Sequence, residues 1–205
     1  MQIRFSTNIY PWSGSEERAI QRLNSPEKIQ AFLDQTTYNK SRHPWWPSDV
    51  LVQRNAHCFD GALFAASVLA YHGEPPLILD MVASRDDDHI LTIIRRGKYF
   101  GAISKSNYVG LRFREPIFRN VRELVLSYFE SYYNHRKQKS LRSYSQPFDL
   151  RKIKDLEWKR EVDVFEQIAL ALFDLPHKPL LSPEQERALS PVDSRSFSAG
   201  LVGAA

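Results

Sequence analysis

Fourteen residues, CFDGALFAASVLAY from Cys58 to Tyr71, constrain this chain more than any other stretch. Leu63, Ala66, Val68, Leu69 and Ala70 make it nearly apolar all round, so the helix they predict is central and buried. Gly73 follows where a helix stops, and Pro75-Pro76 forbids its continuation. Such a helix needs a layer to pack on, and the next segments supply one. LILDMVA (77–83) and HILTIIR (89–95) read as strands separated by the charged turn 85–88. Arg96-Gly97-Lys98 is a hairpin-like turn into a third strand, YFGAIS (99–104). Strands joined by turns this short pair antiparallel, so the expected fold class is α+β, a buried helix on an antiparallel sheet.

The remaining segments are weaker signals. Residues 16–23 read as a short helix. Ser25-Pro26-Glu27-Lys28 reads as a helix start, with Ser25 as N-cap and Pro26 at the first helical position, and Ile29, Phe32 and Leu33 give that helix an apolar face. Pro44 and Pro47 bracket Trp45-Trp46 in a loop over 36–50, whose tryptophans cover a core edge or line a cleft, Trp46 being the binding candidate. Residues 107–113 read as a short strand or loop. Val121, Leu124, Val125, Tyr128 and Phe129 place an amphipathic helix within 120–134. Residues 140–155 read as irregular and 161–173 as a further helix. These downstream helices are additions to the core. The reading is one domain over 1–178 and, given the prolines and small polar residues that follow, a flexible tail over 179–205.

Composition removes several function classes. Lys and Arg total 28 against 24 Asp and Glu, a net charge of +4, too small and scattered for a nucleic-acid stripe. The densest basic run, 135–139 with Arg142, reads as a solvated helix end, so no nucleic-acid partner is expected. A single cysteine forbids an internal disulfide and a Cys-rich zinc site, and fits a reducing cytoplasm. The first residues carry no apolar signal core, and no apolar run approaches the roughly 20 residues that span a bilayer. No membrane partner, metal or organic cofactor is expected, and no phosphate-cradling glycine loop is present.

The lone cysteine is placed where chemistry is available. A helix N-terminus carries partial positive charge and unpaired N–H groups, which stabilise a thiolate and can hold an oxyanion. A buried free cysteine is also a common small hydrophobe, so placement alone leaves both roles open. His89, at the head of the second strand, is the candidate base. His57 competes as the sequence neighbour of Cys58, but adjacent side chains diverge at a helix entry. Gln53 and Asn55, just upstream, are candidate oxyanion donors or plain loop-solvating residues.

Residues 25–110 resemble the core of the transglutaminase-like superfamily, which shares a papain-like Cys-His arrangement. The carriers are Cys58, Ala62, Leu69 and Gly73 in the helix, then HILTIIRRGKYFGAIS with His89 at the histidine position, and upstream the helix from Pro26 to Leu33 followed by Tyr38. The resemblance implies Cys58 as nucleophile, His89 as base, and a protein or peptide amide as substrate for hydrolysis or acyl transfer, with hydrolysis favoured. The family places an aspartate four residues after an aromatic; here Phe100 is followed by Ser104. Serine accepts a hydrogen bond from an imidazole but brings no charge. Asn107 is an alternative third group, although strand alternation turns it to the other face. Loss of the aspartate also suits a second reading, a catalytically degenerate domain retained as a binding module.

Overall fold

The computed structural model describes residues 9–41, 43–153 and 163–204. Two short helices open it. Gly14–Ile20 (α1) starts at Ser13, whose N–H is held by the Glu16 carboxylate at 2.7 Å. Pro26–Asp34 (α2) starts at Ser25, whose hydroxyl accepts the Lys28 N–H, as its cap and proline predict. Thr37–Tyr38 (β1) then pairs in parallel with Asn55–Ala56 (β2), bridging over Pro47–Gln53 (α3).

The apolar stretch is helical from Cys58 to Tyr71 (α4), and from Asp60 to Ala70 every residue is buried. Gly73 adopts φ +87°, the left-handed stop that glycine favours. Leu77–Ala83 (β3), His89–Arg96 (β4), Tyr99–Ile103 (β5) and Arg114–Phe118 (β6) form an antiparallel meander. Val121–Leu126 (α5) covers one face. Leu141–Ser145 (β7) and Phe148–Asp149 (β8) pair with the far edge of β3. After Asp163–Phe173 (α6), His177–Pro179 (β9) closes the order β6-β5-β4-β3-β7-β9, with β8 beside β3. Pro183–Arg187 (α7) and Ser194–Gly200 (α8) follow. The protein is thus a mixed α/β fold with a large antiparallel sheet and helices. Among the described residues no helix is long and apolar enough to cross a membrane.

Period-two alternation splits the core into two layers. Ile78, Ile90, Ile94 and Ile103 face α4, whose Ala62 carbonyl accepts the Thr92 hydroxyl at 2.7 Å. Leu79, Met81, Leu91, Ile93 and Ala102 face α5 and Tyr128. His89 is in register with Met81, so its ring lies on the α5 side.

Several expectations are corrected downstream. The helix expected through 120–134 ends at Leu126, where the Ser127 hydroxyl bonds back to Leu124 O at 2.6 Å and Tyr128 drops into the core. The basic run 135–139 is therefore not a helix end. It belongs to a turn organised by Asn134, whose side-chain oxygen accepts the Arg136 and Gln138 N–H groups. Residues 140–155, expected irregular, contain β7 and β8. The 161–173 helix is seen from Asp163, its first residues lying outside the described set. The segment expected as a flexible tail, 179–205, instead carries the last residue of β9 and the helices α7 and α8. Buried Leu180 and Val192 anchor it, Arg142 pairs with Glu186 at 2.6 Å, and Tyr133 donates to Ser196 O at 3.1 Å.

Candidate active site

The head of α4 is fixed by a buried carboxylate. Asp60 accepts the His57 N–H at 3.0 Å and the Trp45 N–H at 2.9 Å, with Asn39 Nδ2 at 3.4 Å. One side chain thus caps the helix and ties down the preceding loop. His57 completes the cap: its Nδ1 accepts the Phe59 N–H at 3.0 Å. That bond commits the lone pair a base would need, which is the physical reason to set His57 aside.

The cap leaves Cys58 at the first helical position, half-buried, with its sulfur against the backbone of β4. The S–H donates to Asp88 O at 3.9 Å, and the Ile90 amide points at the sulfur. The β4–β5 pairing runs only as far as Thr92↔Ile103, so the thiol lies alongside the start of β4, which pairs with β3 but not with β5. Burial pushes the thiol up to about 11; the Ile90 amide draws it back, while Asp60 and Asp87 add to the rise.

His89 is 5% exposed. Extending the β4–β5 register puts Ser104 opposite Leu91 and so diagonal to His89 on one face. The two side chains meet: His89 Nε2 lies 2.7 Å from Ser104 Oγ and 3.2 Å from Leu111 O. Ser104 Oγ in turn lies 2.7 Å from Leu111 O, to which it donates. The serine proton is therefore spent, and both groups around Nε2 act as acceptors. Nε2 must carry the ring proton, which leaves Nδ1 as the bare lone pair. Nδ1 has no hydrogen-bond partner among the described residues. Burial lowers the imidazole to about 4, with no carboxylate at Nε2 to oppose it.

Ser104 is itself held. Gln30 of α2 accepts its N–H and donates to its carbonyl, both at 2.9 Å. Next to it, the buried Lys105 ammonium donates to Leu33 O at 2.9 Å and to Thr36 O, capping the end of α2. Asn107 is not the group that reaches Nε2; Ser104 is.

Cys58 and His89 open into one cleft of about 1050 Å³. Its walls are loops: Tyr38 to Ser41, Arg85 to Asp88, Ser106 to Leu111, and Tyr132 to Arg136. Three expected site residues lie elsewhere. Gln53 is exposed at the end of α3, and Asn55 is half-buried within β2. Trp46 is buried in the core against Phe165, ring centroids 4.5 Å apart, so it covers a core edge and does not line the cleft. In their place the fold brings Tyr38 beside Cys58. Burial and then the Cys58 charge raise its hydroxyl above the usual tyrosine range, and that hydroxyl has no partner among the described residues. Tyr132, 2% exposed, packs edge-on to the His89 ring at 6.4 Å and donates to Asp87 O at 2.7 Å.

No protein-family model matches the chain, and no curated protein matches it.

Proposed function

We propose that the chain is a transglutaminase-like domain acting as a cysteine-dependent amide or ester hydrolase, or acyl transferase, on a protein or peptide substrate. Its single cysteine suits a cytoplasmic setting. One observation carries the reading: His89, pinned at Nε2 by Ser104 and Leu111 and with no partner at Nδ1 among the described residues, lines the same cleft as Cys58. In the reaction the Cys58 sulfur bonds to the substrate carbonyl carbon while its proton passes to Nδ1. The carbonyl oxygen becomes an oxyanion, held by the Cys58 N–H at the head of α4 and the Tyr38 hydroxyl. Collapse expels the amine, which takes the proton from His89 and leaves a thioester. Water or a second amine, deprotonated by Nδ1, then releases the acyl group.

The test is the pH–rate profile of Cys58 alkylation by iodoacetamide in the parent and in His89→Ala. A neutral thiol assisted by a neutral base reacts at a rate that is flat from about pH 5 to about pH 9, because the base is already free there. Without the base, the rate follows the thiolate and climbs about tenfold per pH unit toward pH 11. Superimposed profiles would remove the enzyme reading. They would leave a non-catalytic binding domain, which the thiol's bond to Asp88 O rather than to the imidazole favours.

A further inference from the structure

The turn between β3 and β4 carries three consecutive aspartates on the cleft, and the fold uses them differently. Asp88 is spent on the turn: its carboxylate accepts the Ala83 N–H at 2.7 Å. Asp86 is spent on the neighbouring strand: it accepts the Ser140 hydroxyl at 2.5 Å. Tyr132 fixes the backbone between them through Asp87 O, and Asn134 donates to Arg85 O at 3.4 Å. The Asp87 carboxylate itself is exposed and makes no hydrogen bond or ion pair among the described residues. A rigid turn thus presents one uncommitted negative charge to the cleft. Two tyrosine rings line the same space, Tyr38 and Tyr108, and the Asp87 charge raises both of their hydroxyls as well as the Cys58 thiol. A carboxylate beside aromatic faces is the usual composition of a cation site. The same cleft is lined by His89, 5% exposed, so the Asp87 carboxylate and the proposed base border one space.

We infer that Asp87, with Tyr38 and Tyr108, is a cation subsite that selects acyl donors bearing a guanidinium or ammonium side chain beside the attacked carbonyl. This rests on the proposed function for the attacked carbonyl, but not for the binding of the cation. Lys40, Arg85 and Arg136 also reach the cleft, so the preference is local to the Asp87 end and net charge does not describe it. A bound cation has a second effect. It offsets one of the two carboxylates that hold the thiol protonated, so correct binding eases ionisation of Cys58.

The experiment compares binding of Nα-acetyl-arginine amide with that of its neutral isostere, Nα-acetyl-citrulline amide, by NMR titration of the parent and of Asp87→Asn. The arginine compound is expected to bind at least about fivefold tighter, the sum of an exposed ion pair and a cation–π contact, with the advantage falling in high salt. Asp87→Asn keeps every backbone bond of the turn and should cut the ratio to the roughly twofold that the tyrosine faces alone supply. Equal affinities in the parent, no saturable binding of either compound, or an advantage left undiminished by Asp87→Asn would each overturn the subsite. Arginine-selective binding without cleavage of an arginine ester would instead sink the enzyme reading and leave the subsite standing. Cleavage of arginine and citrulline esters at equal rates would do the reverse.

Discussion

Replacing Ser104 by aspartate should turn a nearly silent thiol into a reactive one. The Cys58 thiol and the His89 imidazole, at about 11 and about 4, stand about 7 units apart. Even drawn into contact at about 4 Å, a thiolate–imidazolium pair at an effective dielectric of about 20 would recover only about 4 kcal/mol, or about 3 of those units. Roughly one molecule in 10⁴ would then hold the ion pair, and the resting site is neutral. Ser104 Oγ is 2.7 Å from Nε2, so an aspartate there brings a carboxylate within hydrogen-bond reach of the ring. That contact raises the imidazole by about 1–3 units, and the ion-pair population with it by about 10- to 1000-fold. Iodoacetamide labelling at pH 7 should accelerate by the same factor, with the His89 ring protons titrating at higher pH by NMR. The substitution carries a cost, because the serine proton now given to Leu111 O is lost and a carboxylate faces that carbonyl. Ser104→Asn is the comparison: its amide accepts from Nε2, can donate to Leu111 O, and adds no charge, so the imidazole should stay near its parent value. A folded Ser104→Asp protein, judged by near-UV circular dichroism, with unchanged labelling and an unmoved His89 would refute the electrostatic account of this site.

Two further substitutions test burial through stability. His89 is held at about 4 against 6.5 when unfolded, so the unfolded chain binds the proton first as pH falls. The stabilisation is full above about pH 6.5 and declines by about 3 kcal/mol toward pH 4; urea melts of His89→Gln should lack that component, and parallel curves would contradict it. Burial lowers Lys105 to about 8, so the unfolded chain holds the extra proton from there up to about pH 10 and stability should rise with pH across that window. Lys105→Met should abolish the rise in denaturant melts at pH 8 and pH 10, and a slope equal to the parent's would show that the amine titrates normally.

The parts of this fold that the sequence exposes are those whose signals are local. The all-apolar run, Gly73 and the proline pair locate α4, and the short connections make β3, β4 and β5 a meander. Once that meander is accepted, register does the rest: counting back from the turn at Gly97 brings Ser104 to His89, as the 2.7 Å contact bears out. Tyr38 reaches Cys58 through a two-residue parallel bridge to Ala56, a pairing too short to leave a pattern. The outer strands β7 and β9 are polar, and the partner of β7 is about sixty positions earlier. The C-terminal segment is held by Leu180 with Leu181 and by Val192, a few apolar residues in a proline-rich, polar stretch, so composition points to a tail. Gln53 and Asn55 do not line the cleft, because proximity in sequence to Cys58 is undone by the left-handed residue Arg54, which ends α3 and redirects the chain into β2. The separate duties of Asp86, Asp87 and Asp88 are set by partners on β3 and β7, which no local rule supplies.

Burial acts on this site in two opposed ways. It fixes the ring, since only an enclosed Nε2–H is compelled to choose Ser104 Oγ and Leu111 O. It also disfavours every charged state the chemistry passes through, pushing the thiol up and the imidazole down. The usual remedy, a carboxylate behind the histidine, is absent, and the carboxylates that are present, Asp60 and Asp87, act on the thiol with the wrong sign. Asp60 cannot be released, because it caps α4 and holds the loop through Trp45. Asp87 can be neutralised from outside, because it is exposed and uncommitted. Of the two carboxylates that act on the thiol, the adjustable one therefore faces the cleft, where a substrate would arrive. On the proposed reading, a cationic substrate would supply at binding part of the electrostatic help that the missing aspartate would have supplied permanently. Recognition of the cation would then also ease activation of a thiol that burial keeps protonated at rest.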